Sequence, residues 1–288
     1  MKFTKIIGGA LGICAISFGT IAQDETLQNE EGFNVLPEQG EYAIGFNAVP
    51  IFNWIGNSFN ANTNNTYAGS NKFVSNLGNN VLFGKYMLEE KIAIRAHLRV
   101  GVFNNSQDNF VIDDIANSPN EFVMDNQVIN EQTYTLGAGY EYRRGKGRLQ
   151  GIYGGDIFFM FNKYSESYEY GNQYGQLNQA PTTTTNFNTG NAQPQGERLV
   201  DFNQGGTFGV GVRPFVGVEY FFASKMSIGG EFGWNVMFAN TSDGSTVSEY
   251  YDPVSEEVTQ NTIDAAGARS WNLDTDNFNG AIFLMFYF

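Results

Sequence analysis

His97 is the only histidine of the chain, and it stands between Arg95 and Arg99 at two-residue spacing. An imidazole can act as general base to a serine nucleophile, with a carboxylate to orient it. That use requires the ring to sit beside an accessible, loop-borne hydroxyl. Here Ile92, Ile94, Ala96, Leu98, Val100 and Val102 alternate without interruption. The alternation puts His97 in the middle of a strand, on the face it shares with both arginines. The expectation is a hydrogen-bonded interior residue and no histidine-dependent enzyme. One histidine also cannot supply a metal site built on several. The single cysteine, Cys14, lies in the N-terminal apolar segment. Once that segment is removed, no disulfide, thiol nucleophile or thiolate site is possible, and no cofactor is expected.

The same parity can be followed through every alternating stretch. It places Glu41, Lys85, Arg95, Arg99, Glu141, Asp156, Arg213, Glu219 and Glu231 opposite the apolar residues of their own strands, with His97 among them. Four of these charged groups are basic and five acidic. Enclosed charges must pair or bear a large desolvation penalty. Arg95, Arg99 and Arg213 are therefore expected to bond Glu141, Glu219 and Glu231 and to fill the interior. A narrow pore lined by the same groups is the alternative. A solute-selective channel usually carries an excess of one sign, so the near balance favours the plug.

The elements that must position these groups are strands. Eight segments show period-two patterning: 41–49, 80–88, 91–103, 133–143, 149–163, 207–222, 226–240 and 278–288. In 207–222, Phe208, Val210, Val212, Val216, Val218, Tyr220 and Phe222 form one face, and Gly209, Gly211, Arg213, Gly217 and Glu219 the other. A soluble sandwich would carry many Lys and Glu on its second face. A glycine-rich face with isolated charges suits a narrow, crowded interior. Three connections are tight, at Glu89-Glu90, Arg144–Arg148 and Ala223–Lys225. The others, roughly 50–79, 104–132, 164–206 and 241–277, are long and polar, and are expected to be loops. Four such loops are foreign to a compact soluble domain. Short turns at one end and long loops at the other are the pattern of bacterial transmembrane barrels, which also have an even strand number. The fold class expected is thus all-β: an eight-stranded antiparallel transmembrane β-barrel. Closure removes the sheet edges that lipid could not satisfy.

Met1–Ala22 reads as a secretory signal, with Lys2 and Lys5 before an apolar run and Thr20-Ile21-Ala22 as cleavage site. A membrane anchor would be longer and would not run into acidic sequence. A lipoprotein signal would place a small residue before Cys14, where Ile13 stands. Cleavage leaves 14 basic against 30 acidic residues, a charge of -16. Residues 23–40 are acidic, lack alternation and are expected to be a short periplasmic lead-in to a barrel over 41–288. At the other end Ile282, Leu284, Phe286 and the final Phe288 alternate. They resemble the C-terminal signal by which outer-membrane barrels are handed to the assembly machinery.

Composition agrees. Charged residues make up 16% and aromatics 15%, with 26 Phe and 15 Tyr. A soluble domain averages about 25% charged. The mean hydropathy is nevertheless -0.29, because Asn, Gln, Thr, Ser and Gly carry the polarity. A helical bundle and a disordered chain are both excluded. The net charge of -14 excludes nucleic acid as a partner.

Strand number, loop asymmetry, the stretch Phe215-Val-Gly-Val-Glu-Tyr-Phe-Phe222 and the terminal Phe288 carry a family resemblance over 41–288. The chain resembles the small eight-stranded outer-membrane barrels, the OmpA/OmpX-like group. The resemblance implies turns in the periplasm, loops outside, and contact with lipid, lipopolysaccharide and the barrel-assembly machinery. It implies no catalytic motif. It leaves the role open among a structural or interaction protein, an accessory subunit of a larger outer-membrane secretion or assembly complex, and a small-solute pore. The loops are where that role is expected. Residues 104–132 hold Asp108, Asp113, Asp114, Glu121, Asp125 and Glu131 with no Lys or Arg. Residues 241–270 hold six acids against Arg269. These are solvated charges or carboxylates bridged by divalent cations. The turn with Arg143, Arg144, Lys146 and Arg148 is basic. Phe52, Trp54, Phe59, Tyr67 and Phe73 suit contact with a protein or glycan, or an interfacial girdle. The Thr-rich stretch 181–185 is expected to be mobile.

Overall fold

A computed structural model describes residues 27–30, 32–48, 82–116, 120–276 and 282–288. The expected signal, 1–22, and the five loop aromatics Phe52, Trp54, Phe59, Tyr67 and Phe73 lie outside the described residues. Within them the chain forms thirteen strands: β1 (Tyr42–Asn47), β2 (Leu82–Glu89), β3 (Ile92–Ile112), β4 (Phe122–Lys146), β5 (Leu149–Glu169), β6 (Thr182–Asn186), β7 (Asn191–Pro194), β8 (Glu197–Ala223), β9 (Met226–Thr241), β10 (Gly244–Asp252), β11 (Glu257–Ala265), β12 (Ala268–Asp276) and β13 (Phe283–Tyr287).

Eight of these strands close an antiparallel ring. β1 to β5 pair in sequence, β5 pairs with β8, β8 with β9, and β13 joins β9 back to β1. Each of the eight alternating segments supplies one ring strand. The parity is visible in exposure. Val212, Val216, Val218 and Tyr220 face outward and are about half exposed, whereas Arg213 and Glu219 point inward and are 1% and 0% exposed.

The ring strands run much further than the apolar pattern. β3 and β4 stay in register from Ile92↔Tyr142 to Ile112↔Phe122, and β4 and β5 from Lys146↔Leu149 to Asn126↔Glu169. The segments 104–132, 164–206 and 241–277, expected as irregular loops, therefore contain strand extensions and five further strands. Hydropathy hides them, because both faces of the extension are polar while pairing is made by the backbone. The Thr-rich stretch expected to be mobile is β6, paired with β7 in a hairpin. β8 exchanges partners along its length, from β9 at Thr207 to β10 at Asn203. Gly205, at the crossing, has φ +84°, and a Cβ there would collide with the carbonyl of Ser242.

At the turn end, Val35, Met87, Ala93, Ile152, Phe221, Met285 and Tyr287 form the main apolar cluster, with Leu27 and Leu36 packed against it. Residues 27–30 and 32–40, the described part of the stretch expected as a simple lead-in, are thus folded onto the ring. The Val35 carbonyl accepts a hydrogen bond from the Lys225 amide at 3.2 Å, and its side chain is fully buried. Burying one valine contributes roughly 1.5–3 kcal/mol.

Candidate functional site

Beyond that apolar cluster, the described interior of the ring holds one connected ion-pair network. Register builds its middle layer: Lys85, Arg95, Gly139, Asp156 and Arg213 are successive neighbours across β2, β3, β4, β5 and β8. Gly139 leaves the space through which Arg95 Nε reaches Asp156 Oδ1 at 3.2 Å; a Cβ at 139 would strike that carboxylate. Arg95 also makes a two-pronged contact with Glu231, at 2.9 and 3.0 Å, and reaches Glu141 at 3.4 Å. Arg213 bonds Glu231 at 2.8 Å and Asp156 at 3.4 Å. Towards the turns, Lys85 bonds Glu141 at 2.9 Å and Glu219 at 3.4 Å. Arg143 bonds Glu219 at 2.8 Å and Glu141 at 3.1 Å. Glu219 further accepts hydrogen bonds from the Ser227 and Tyr287 hydroxyls, and Tyr287 accepts one from Arg143. Aromatic rings interleave the cations: Arg95 lies 4.1 Å from the Phe215 centroid and Arg143 5.1 Å from that of Tyr287.

Four cations (Lys85, Arg95, Arg143, Arg213) thus meet four carboxylates (Glu141, Asp156, Glu219, Glu231), and the charges cancel. Two sequence assignments change. Arg99 is on the inner face but only partly buried, and among the described residues it makes no ion pair with Glu141, Glu219 or Glu231. It lies too far toward the loop end, two residues beyond His97. Arg143 takes the place given to it. Arg143 adjoins the basic turn of Arg144, Lys146 and Arg148, yet its two-residue spacing from Glu141 puts both on one face. Tyr287 gives no such signal, because its neighbours Phe286 and Phe288 carry the apolar alternation of the last segment. Glu41 sits at the rim and pairs with Lys225 at 2.6 Å, both about one-fifth exposed, apart from the central network. His97 is buried opposite Gly137, its ring 6.5 Å from that of Phe83. Of the terminal row, Leu284 and Phe286 project outward from β13, Ile282 precedes it, and Phe288 is 65% exposed.

At the loop end the β6–β7 hairpin is tied to the inner side of the sheet extension. Asp125, fully buried, is its anchor. It accepts the Thr184 amide at 2.7 Å, the Thr184 hydroxyl at 2.8 Å and the Gly171 amide at 2.9 Å. Asp114 likewise accepts the Thr182 amide at 2.6 Å. Two acids expected to be solvated are therefore backbone anchors. Among the described residues, no three metal-ligating side chains come together. Farther round, Glu166 accepts from both Tyr164 and Tyr168. That hydrogen bond raises the Tyr164 phenol to about 12, and burial together with Glu166 raises Tyr168. Burial also raises Tyr170, against the pull of Arg198.

Asp125→Ala should release the hairpin and spare the ring. Hydrogen bonds to a charged group are worth about 1.5–3 kcal/mol each, so losing three exceeds what a short hairpin can make good. Hydrogen exchange should accelerate across 182–194 and stay slow in β4 and β5 near the charge network. Uniform acceleration throughout the chain would contradict a local anchor.

No family model matches the chain, and no curated protein matches it.

Proposed function

We propose that the chain is an outer-membrane protein whose ring of eight strands is a transmembrane β-barrel, closed to solutes by its interior network, and whose role is structural or interactive, exercised from the loop end. One observation carries the reading: the polarity of the ring is inverted. Charged groups are sealed inside, and large apolar side chains face outward. Two aromatic groups bracket that outer surface. Tyr42 and Tyr86 (4.8 Å between centroids) and Tyr142 and Tyr153 (5.7 Å) lie toward the turns. Tyr134 and Phe161, and Phe159 and Phe208, both at 6.3 Å, lie toward the loops. From Tyr134 to Tyr142 the strand rises roughly 27 Å. A tilt of about 40° reduces that to about 20 Å, close to the roughly 25 Å apolar band of such barrels. The signal-like N-terminus and the Phe288 row add export and handover to the barrel-assembly machinery. These features, with the resemblance to the small eight-stranded group, support lipid and lipopolysaccharide as what the wall meets. The balanced network, in which each of the eight charges has a partner of opposite sign, favours a plug over a pore, and His97, enclosed on a strand, favours no catalytic step.

The test is to fold the full chain into phosphatidylcholine vesicles. Ring strands should resist protease, and planar bilayers should show no stable conductance. Folding as a monodisperse protein in plain buffer would overturn the membrane reading. Long-lived open channels would overturn the plug alone.

A further inference from the structure

The sheet extension holds a cavity whose chemistry differs from that of the ring. It is an open pocket of about 430 Å³ between the β6–β7 hairpin and strands β4, β5 and β8. That is within the usual range of small-molecule sites, about 300–1,000 Å³. Three aromatic rings line it. Tyr168 lies nearly parallel to Tyr170, 6.2 Å apart at 5°, and 5.9 Å from Phe187. Around them stand uncharged groups that both donate and accept, among them Gln127, Asn188 and Gln195.

The charges in the lining are already committed. Arg198 is buried, bonded to Glu249 at 2.7 Å and to the Asn172 carbonyl at 2.7 Å, with its plane 4.4 Å from the Tyr170 centroid and 4.6 Å from that of Tyr174. Glu197 accepts from the Ser248 hydroxyl. An anion would find the one cation of the lining, Arg198, already neutralised by Glu249, and would face Glu197. A purely apolar ligand would cover the amides and the hydroxyls of Thr183, Thr184 and Thr185 without adding a hydrogen bond. A sugar ring satisfies both demands: its C–H face packs on an aromatic ring, and its hydroxyls match groups that donate and accept.

We propose that this cavity binds a short segment of a neutral glycan. The proposal deepens the interactive role above and rests on that reading only for the direction in which the cavity opens. The folded full chain in detergent would be titrated calorimetrically with cellotetraose, maltotetraose, chitotetraose and xylotetraose, and with tetragalacturonate as the acidic counterpart. Saturable binding of at least one neutral sugar is expected, stronger than that of the acidic one. Tyr168→Ala, which removes a stacking face, should weaken it at least tenfold. Gln127→Ala, which truncates one amide and leaves the strand backbone paired, should weaken it several-fold. Lys225→Met, at the opposite end, should leave it unchanged. Absence of binding to every neutral sugar, preference for tetragalacturonate, or affinity unaffected by both cavity substitutions would overturn the proposal. Protease access to 182–194 on intact cells reads the orientation separately. Its failure would sink the outward placement and leave the cavity's binding standing.

Discussion

Glu219→Leu should destabilise the folded chain by about 3–5 kcal/mol, the cost of breaking a buried ion pair from one side. Glu219 is fully buried and has four partners: Lys85, Arg143, Ser227 and Tyr287. Leucine fills much of the volume but answers none of them. The network would be left with four cations against three carboxylates. Of its two carboxylates Arg143 would retain only Glu141, at 3.1 Å, which it already shares with Lys85 and Arg95. Water cannot readily repair the loss, since the apolar cluster around Val35, Met87 and Phe221 lies at that end of the ring. Glu219→Gln separates the contributions. It keeps an acceptor for the Ser227 and Tyr287 hydroxyls but removes the charge, so its cost should approach that of leucine if charge dominates. The measurement is the urea midpoint for folding into phosphatidylcholine vesicles. A midpoint that does not move in Glu219→Leu would mean that Glu219 is not an enclosed, paired charge in the membrane.

Parity is why the ring could be read from sequence. A strand exposes alternate residues to two environments, and within the ring those environments differ sharply, so each of the eight segments announces a ring strand and its inner face. Lys85, Arg95, Glu141, Asp156, Arg213, Glu219 and Glu231 follow directly. Partner choice does not follow, because parity says which face a residue occupies and nothing of its height along the axis. Arg99 shows the difference: by parity it belongs with the network, but it sits above the layer of acids. Arg143 shows the opposite case, a residue of correct parity discounted for its basic neighbours Arg144, Lys146 and Arg148. The extension was illegible for a different reason. Residues such as Asn104, Asn105, Ser106 and Gln107 give no apolar contrast between faces, so a strand solvated on both sides carries no periodic signal. Asp125 is the sharpest case. Its composition-level reading is a solvated acid, and only tertiary folding of the β6–β7 hairpin onto β4 brings Thr184 and Gly171 to it.

Arg95→Met should be the most costly single change in the interior, about 3–5 kcal/mol or more by the same reasoning. Among the ion pairs of the described residues, Arg95 alone joins two halves: Lys85, Arg143, Glu141 and Glu219 toward the turns, and Asp156, Glu231 and Arg213 toward the loops. Its loss leaves four carboxylates with three cations and removes the guanidinium from the Phe215 ring. Arg95→Lys should recover only part of the stability, since an ammonium cannot reproduce the two-pronged contact with Glu231 while also reaching Asp156 and Glu141. Lys225→Met provides the scale. The Glu41–Lys225 pair is short, but both partners are partly solvated, so roughly 0.2–1 kcal/mol is expected there. Connectivity has its own signature in double-mutant cycles. Glu219→Gln and Glu231→Gln should interact measurably in the parent, because each shifts the charge balance around Arg95, and should become additive in the Arg95→Met background. If Arg95→Met costs no more than Lys225→Met, or if the cycle is additive in both backgrounds, the interior is a set of independent pairs and not one network closing the ring.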